Sequence, residues 1–73
     1  MTTIDTVMPR VDGEKLRQLR EARFFSHRDL AREAGVSPTT VLNLEAGRVE
    51  AQRRTIRKLA QALEVDPAEL VED

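Results

Sequence analysis

The sequence predicts an all-α domain, a compact bundle of five short helices. Its apolar residues recur at helical spacing, and no stretch alternates apolar and polar residues as a half-buried strand does. Side chains suited to cap the first turn of a helix stand at four positions: Asp12, Ser26, Ser37 and Asp66. The chain has 73 residues, of which 40% are hydrophobic and 34% charged, a profile typical of one soluble domain. We expect a flexible arm at residues 1–11 and one folded domain over residues 12–73.

The first predicted helix begins after Asp12, whose carboxylate is suited to accept a hydrogen bond from the first turn. Leu16 and Leu19 follow at i, i+3 spacing, so both lie on one apolar face. Phe24 and Phe25 break this pattern, and we expect the helix to end before them.

The second and third predicted helices are separated by a very short connection. Ser26 and Asp29 form the pattern of a capping box at the start of the second, and Gly35 ends it where a positive φ costs little. Ser37 and Pro38 then provide an N-cap and a proline at the first helical position. The residues expected to face the core are Leu30, Ala31 and Ala34 in the second helix and Val41 and Leu44 in the third.

The fourth and fifth predicted helices follow a short polar connection. The fourth has the strongest helical spacing of the chain, carried by Ile56, Leu59, Ala60 and Leu63. Asp66, Pro67 and Glu69 then form a fourth capped start, which predicts a short fifth helix containing Leu70 and Val71.

The charges are unevenly distributed along the chain, although the formal net charge is only −1. The last ten residues hold five acidic side chains and no basic one, whereas residues 48–58 hold five basic side chains and one acidic one. A basic stretch contacts phosphates when it lies beside a recognition element, although on its own it is more often a solvated helix face.

Several classes of function are excluded by composition. With no cysteine and a single histidine, the chain lacks disulfides, cysteine-ligated zinc and a nucleophile–base set, so we expect no enzyme activity, metal or cofactor. No apolar run approaches the roughly 20 residues that span a membrane. We expect a cytoplasmic protein that does not bind membranes, and so small a core leaves no obvious pocket for a small-molecule ligand.

A more specific pattern lies in LRQLREARFFSHRDLAREAGVSPTTVLNLEAGR and the later TIRKLAQALEV. Together they contain the motifs LR-x-LR, LA-x-x-AGVS, T-V-x-x-LE-x-G and KLA-x-AL. In this combination, residues 13–71 resemble the phage-repressor and Cro-like (XRE-type) helix-turn-helix family, and the resemblance needs no gap. The resemblance implies a five-helix DNA-binding domain of the phage-repressor type. It also implies a sequence-specific regulator of transcription, most often a repressor, that places its third helix in the major groove of double-stranded DNA.

The resemblance also implies which residues contact DNA. The candidates for base contacts are Pro38, Thr39, Leu42 and Asn43, on the side of the third helix turned away from the core. Asn43 is the strongest of them because a carboxamide pairs bidentately with adenine. The candidates for phosphate contacts are His27, Thr40, Arg48, Arg53, Arg54 and Arg20. Arg20 also stands where the family pairs an arginine of the first helix with a glutamate at the end of the third, here Glu45.

Some positions depart from the family pattern. His27 occupies the position of a frequent glutamine, and an imidazole is able to donate a similar hydrogen bond to a phosphate. Phe24 stands where glycine or a polar residue is common. Its side chain either adds to the packing of the core, which we favour, or contacts another protein. Ala51 replaces a common proline, and Pro38 replaces a polar residue and so loses one hydrogen bond to a base.

Assembly and partners are less firmly predicted. Members of the family typically bind as two-fold dimers, and the fifth helix with its preceding loop is the expected dimer surface, unless Val65, Leu70 and Val71 only close the core. The alternative function is a protein-interaction module on a helix-turn-helix scaffold, for example an antitoxin or a partner-binding subunit. Exposed apolar residues such as Leu42 and the nearly neutral net charge favour it.

Overall fold

The computed structural model describes residues 9–47 and 50–72, and the described part contains helices and no β-strand. The helices are α1 (Gly13–Ala22), α2 (His27–Ala34), α3 (Pro38–Glu45), α4 (Arg53–Leu63) and a 3₁₀ helix (Pro67–Leu70). The predicted all-α class is confirmed. The expected fifth α-helix is instead a single 3₁₀ turn, because Val71 directly after it is extended and forms an isolated β-bridge with Val11, which leaves too few residues to propagate an α-helix.

The predicted caps form with the expected geometry. Asp12 accepts a hydrogen bond from the Lys15 amide at 3.2 Å. Ser26 and Asp29 make a reciprocal capping box, with both hydrogen bonds 2.9 Å long. Gly35 ends α2 in the left-handed region with φ 74°, which glycine adopts without the steric cost of a Cβ. Local cap chemistry therefore determines where α1 and α2 begin and where the connection to α3 turns.

One apolar core joins all four α-helices and the 3₁₀ helix. Its fully buried side chains are Val11, Leu16, Leu30, Val41, Leu44, Leu59 and Leu70. Burying a leucine of this kind contributes about 1.5–3 kcal/mol relative to leaving it exposed. Leu70 belongs to this core with 0% exposure, whereas Val65 and Val71 are only partly buried against it.

The flexible arm was predicted at residues 1–11, and the structure describes its last three residues, 9–11. Residues 1–8 lie outside the described part of the chain. Val11 is 1% exposed and pairs with Val71, and the Asp12 amide donates to the carbonyl of Leu70 at 2.8 Å. The Ala51 amide donates to the Pro9 carbonyl at 3.2 Å, a hydrogen bond that a proline at position 51 is unable to make. Residues 9–12 thus connect the C-terminal end of the domain to the loop before α4.

The start of α1 lies directly against the end of α3. A Cβ built on Gly13 would be 2.5 Å from the carbonyl oxygens of both Leu44 and Glu45. Glycine is therefore required here for a close approach of two backbones. The contact fixes the C-terminal end of α3 relative to α1.

The turn between α1 and α2 corrects one expectation. Phe24 does not supplement the packing, because its side chain is 93% exposed. Its backbone adopts φ 58°, the left-handed conformation that explains why glycine is common at this position. Phe25, the next residue, packs partly against the core instead.

Candidate nucleic-acid interface

Helix α3 has two unlike sides. Val41 and Leu44 are buried where α3 packs against α1 and α2. The opposite side, which we call the outer face of α3, is exposed and consists of Pro38, Thr39, Leu42 and Asn43. Residues at this spacing share one side of a helix. The structure thus places all four candidate base-contact residues on one solvent-facing surface, including Leu42, which is 50% exposed although it is apolar.

The first turn of α3 is organised by Ser37. Its hydroxyl accepts a hydrogen bond from the Thr40 amide at 3.1 Å and lies 3.0 Å from the Thr40 hydroxyl. Thr40 is half-buried, so its hydroxyl is held beside the cap. Because each hydroxyl has both donor and acceptor capacity, this pair retains a free hydrogen or lone pair for a ligand.

A buried ion pair holds the other end of α3. Nε and Nη2 of Arg20 donate to the two carboxylate oxygens of Glu45 at 2.6 and 3.1 Å, and Nη1 donates to the Phe25 carbonyl at 2.8 Å. The hydrogen bond to Glu45 raises the pKa of Arg20 above its ordinary value, against the opposing effect of burial. Both side chains are less than a tenth exposed. Arg20 is therefore committed to positioning α3, and little of its guanidinium is left for a phosphate.

His27 joins the same cluster from the first position of α2. Its Nε2 lies 3.0 Å from Oε1 of Glu45, and its side chain is 36% exposed. Glu45 thus contacts α1 through Arg20 and α2 through His27. One carboxylate near the end of α3 ties together the three helices that form this side of the domain.

The start of α2 is held by a carboxylate as well. Hydrogen bonds from the Ser26 backbone amide and hydroxyl lower the pKa of Asp29 below its ordinary value. A carboxylate in the first turn also interacts favourably with the helix dipole. This support is present at neutral pH and is lost as the pH falls through the lowered pKa of Asp29.

The candidate phosphate contacts of α4 lie at an open helix start. Arg53 and Arg54 are exposed, and neither forms an ion pair with another residue of the described part. The residue before them, Gln52, makes no side-chain hydrogen bond to the first turn. The first-turn amides of α4 therefore have no side-chain cap. Arg48 lies outside the described residues.

Two residues that the sequence did not single out lie beside the outer face of α3. A shallow groove of about 320 Å³ is lined by Thr40, Asn43, Leu44, Glu50, Ala51, Gln52 and Thr55. It joins Asn43 to the uncapped start of α4, where Gln52 and Thr55 are the polar residues that sequence reasoning missed. The absence of a capping residue directly before Arg53 is the signal that could have pointed to them.

Two other kinds of site are absent from the described residues. No helix within residues 9–47 and 50–72 is long and apolar enough to cross a membrane. The same residues contain no group of three or more histidine, cysteine, aspartate or glutamate side chains placed to hold a metal ion.

A comparison with protein families identifies the helix-turn-helix domain of this chain. The model of a family described as a helix-turn-helix domain matches residues 13–72, nearly the whole folded part. The chain belongs to the Cro-like (XRE-type) helix-turn-helix family of DNA-binding transcriptional regulators. The resemblance inferred from the motifs is thereby confirmed. No curated protein matches the chain.

Solved structures agree with this membership. The restriction-modification controller protein C.AhdI from Aeromonas hydrophila is 37% identical, with a TM-score of 0.75, over 78% of this chain and 86% of C.AhdI. The master regulator for biofilm formation SinR, solved in complex with DNA, is 23% identical over 77% of this chain and 90% of SinR, with a TM-score of 0.73, and shows the shared fold.

An enzyme also shares the fold. A hydroxyethylphosphonate dioxygenase is 28% identical with a TM-score of 0.76, over 88% of this chain. The match covers only 14% of the dioxygenase chain, however, and so concerns its helix-turn-helix region. The family to which this chain belongs is one of DNA-binding regulators.

Proposed function

We propose that this chain is a repressor that binds a specific duplex DNA site with α3 in the major groove. The observation that carries the proposal is the two-sidedness of α3, whose inner side is buried and whose outer face is exposed. An α-helix fits the major groove, and side chains near its N-terminus reach base edges there. Occupying a promoter in this way blocks transcription without any further domain.

The outer face of α3 supports direct readout of a few bases. Asn43 offers a carboxamide that pairs with N6 and N7 of adenine, and Thr39 offers a hydroxyl that bonds either a donor or an acceptor. Leu42 provides an apolar surface for a thymine methyl group. Pro38 lacks an amide hydrogen and contributes only shape. We therefore assign most of the sequence discrimination to Asn43 and Thr39.

Residues around this face supply the phosphate contacts. The exposed guanidinium groups of Arg53 and Arg54 lie at the uncapped start of α4, whose amides add positive potential. The groove between Asn43 and Gln52 brings this helix start beside the outer face of α3. Thr40 extends the contact through its hydroxyl, and Arg48, which lies between α3 and α4 in the sequence, is a further candidate.

A homodimer accounts for recognition of a complete operator, because one α3 reads only a short half-site. The proposed dimer surface lies at the 3₁₀ helix, beside a groove of about 520 Å³ lined by Pro9, Arg53, Ile56, Arg57, Pro67, Ala68 and Val71. Of these residues, Arg53 is assigned to DNA, and Pro67, Ala68 and Val71 are assigned to the dimer. Leu70 takes no part, since it is fully buried in the core. Sedimentation equilibrium with and without operator DNA tests this, and monomers alone in both conditions would remove the dimer from the proposal.

The proposal is tested by selecting bound duplexes from a random library and measuring affinity for the selected sequence as salt rises. A DNA binder that releases several counterions loses affinity steeply between 50 and 200 mM salt, by about a factor of 10³ for six phosphate contacts. The selected sequence should also be bound at least about 10³ times more tightly than random DNA. Failure to bind any duplex in dilute buffer would contradict the proposal.

The protein-interaction alternative is favoured by one observation, the 93% exposure of Phe24. A large aromatic side chain on the surface is typical of protein contacts. Affinity for such a partner would respond weakly to salt, in contrast to the steep response expected for DNA. The salt titration therefore separates the two functions.

A further inference from the structure

We propose that His27 binds a DNA phosphate only as the imidazolium ion, so that DNA binding takes up a proton and weakens as the pH rises. This inference deepens the proposed DNA-binding function and rests on it. It follows from the hydrogen bond between Nε2 of His27 and Oε1 of Glu45, which are 3.0 Å apart. The glutamine common at this position in the family has no such dependence on pH.

The ion pair determines which nitrogen of His27 carries the hydrogen. Both oxygens of the Glu45 carboxylate accept hydrogen bonds from Arg20, and a carboxylate only accepts hydrogen bonds. Nε2 must consequently be the donor to Glu45. A neutral imidazole has a single N–H group, so Nδ1 of neutral His27 is left with a lone pair.

That lone pair is the group a phosphate would meet. Nδ1 of His27 has no hydrogen-bond partner among residues 9–47 and 50–72, and more than a third of the side chain is exposed. A lone pair and an anionic phosphate oxygen repel each other. Protonation at Nδ1 replaces the repulsion with a charge-assisted hydrogen bond, and leaves the bond from Nε2 to Glu45 intact.

The charges around the ring favour this change once a phosphate is present. The ring contacts Glu45 on α3, which is paired with Arg20 on α1; Oε2 of Glu21 in turn lies 3.8 Å from Nη2 of Arg20. Arg28 and Asp29 follow His27 on α2. The residues that α4 buries in the core are apolar: Ile56, Leu59, Ala60 and Leu63. Since Arg20 and Glu45 neutralise each other, protonated His27 adds a positive charge that a phosphate complements.

The experiment measures the affinity for a selected duplex from pH 5.5 to 8.5 at constant ionic strength, with a dye whose emission does not change with pH. Losing one charge-assisted hydrogen bond corresponds to about a tenfold weaker affinity at pH 8 than at pH 6. His27→Gln should have equal affinities at the two values, because a carboxamide nitrogen has two hydrogens, one for Glu45 and one for a phosphate. The variant also controls for the α-amino group, which titrates in the same range.

Calorimetry in two buffers of different ionisation enthalpy provides a second measurement. The wild-type chain should take up protons on binding DNA, and His27→Gln should take up none at that site. A wild-type affinity independent of pH, or the same slope in His27→Gln, would overturn the inference while leaving the DNA-binding function standing. Absence of duplex binding at every pH would instead overturn the proposed function and this inference with it.

Discussion

The two sides of α3 differ in how completely the rest of the chain determines them. On the inner side, Val41 and Leu44 are enclosed by the core and both oxygens of Glu45 are hydrogen-bonded. On the outer face, Leu42 and Asn43 extend into solvent. The two sides of α3 therefore have different roles. The inner side fixes the position and direction of the helix, and the exposed residues that would contact a ligand do not stabilise the fold.

The largest effect is expected from Leu44→Ala, which attacks the inner side. Truncating a fully buried leucine costs about 2–5 kcal/mol of unfolding free energy, a large fraction of the stability of a domain this small. Leu42→Ala, two residues earlier on the outer face, is the matched control and should change the free energy by less than about 0.5 kcal/mol. Urea denaturation followed by circular dichroism measures both. Similar losses in the two variants would show that α3 is not two-sided.

Gly13→Ala should also affect the inner side, but through the backbone. The new Cβ would lie 2.5 Å from the carbonyl oxygens of Leu44 and Glu45, so α1 and α3 must separate. We expect a loss of about 1–3 kcal/mol, as for other overpacking changes, although alanine is favoured over glycine within a helix. DNA affinity should fall as well, because α3 shifts.

The control for Gly13→Ala is Glu14→Ala, a change at the neighbouring exposed position of α1. It should alter stability by less than about 0.5 kcal/mol and leave DNA affinity nearly unchanged. Thermal unfolding and anisotropy measurements on the two variants provide the comparison. A Gly13→Ala chain more stable than the wild type would mean that the contact between α1 and α3 yields without cost.

These two predictions also show which parts of the fold the sequence reveals. The caps at Asp12, Ser26 and Ser37 could be predicted because the side chain and the amide it accepts from are only three residues apart. The requirement for glycine at position 13 could not, since the atoms it avoids belong to α3. The hydrogen bond from Ala51 to Pro9 is equally remote in sequence, and so the packing of residues 9–11 was missed.

The candidate interface was predictable to a similar degree. The exposure of Thr39 and Asn43 follows from helical spacing once Val41 and Leu44 are assigned to the core. Spacing gives no reason to connect Gln52 with Asn43, because the groove between them depends on how α4 packs. The contact between His27 and Glu45 was missed for the same reason, since eighteen positions separate the two residues.

Asn43→Ala tests the outer face directly. Because the side chain is exposed, the free energy of unfolding should hardly change, whereas discrimination at one base pair should fall by about 1–3 kcal/mol. Arg54→Ala is the matched variant at a proposed phosphate contact. It should weaken binding to specific and random DNA alike and reduce the salt slope by about one. Equal effects of both changes on specific and random DNA would contradict the assigned roles.

The smallest effect is expected from Phe24→Gly, which leaves both sides of α3 intact. The left-handed backbone of Phe24 costs about 1–2 kcal/mol, because the residue has a side chain, and glycine removes this cost. The greater conformational freedom of glycine in the unfolded chain cancels about 0.5–1 kcal/mol of that gain in stability. The variant should therefore be more stable than the wild type by up to about 1 kcal/mol. Phe24→Ala keeps the strain and should show no comparable gain. With Arg20 and Phe25 undisturbed, DNA affinity should equal that of the wild type, and a loss of affinity would place Phe24 within the DNA interface.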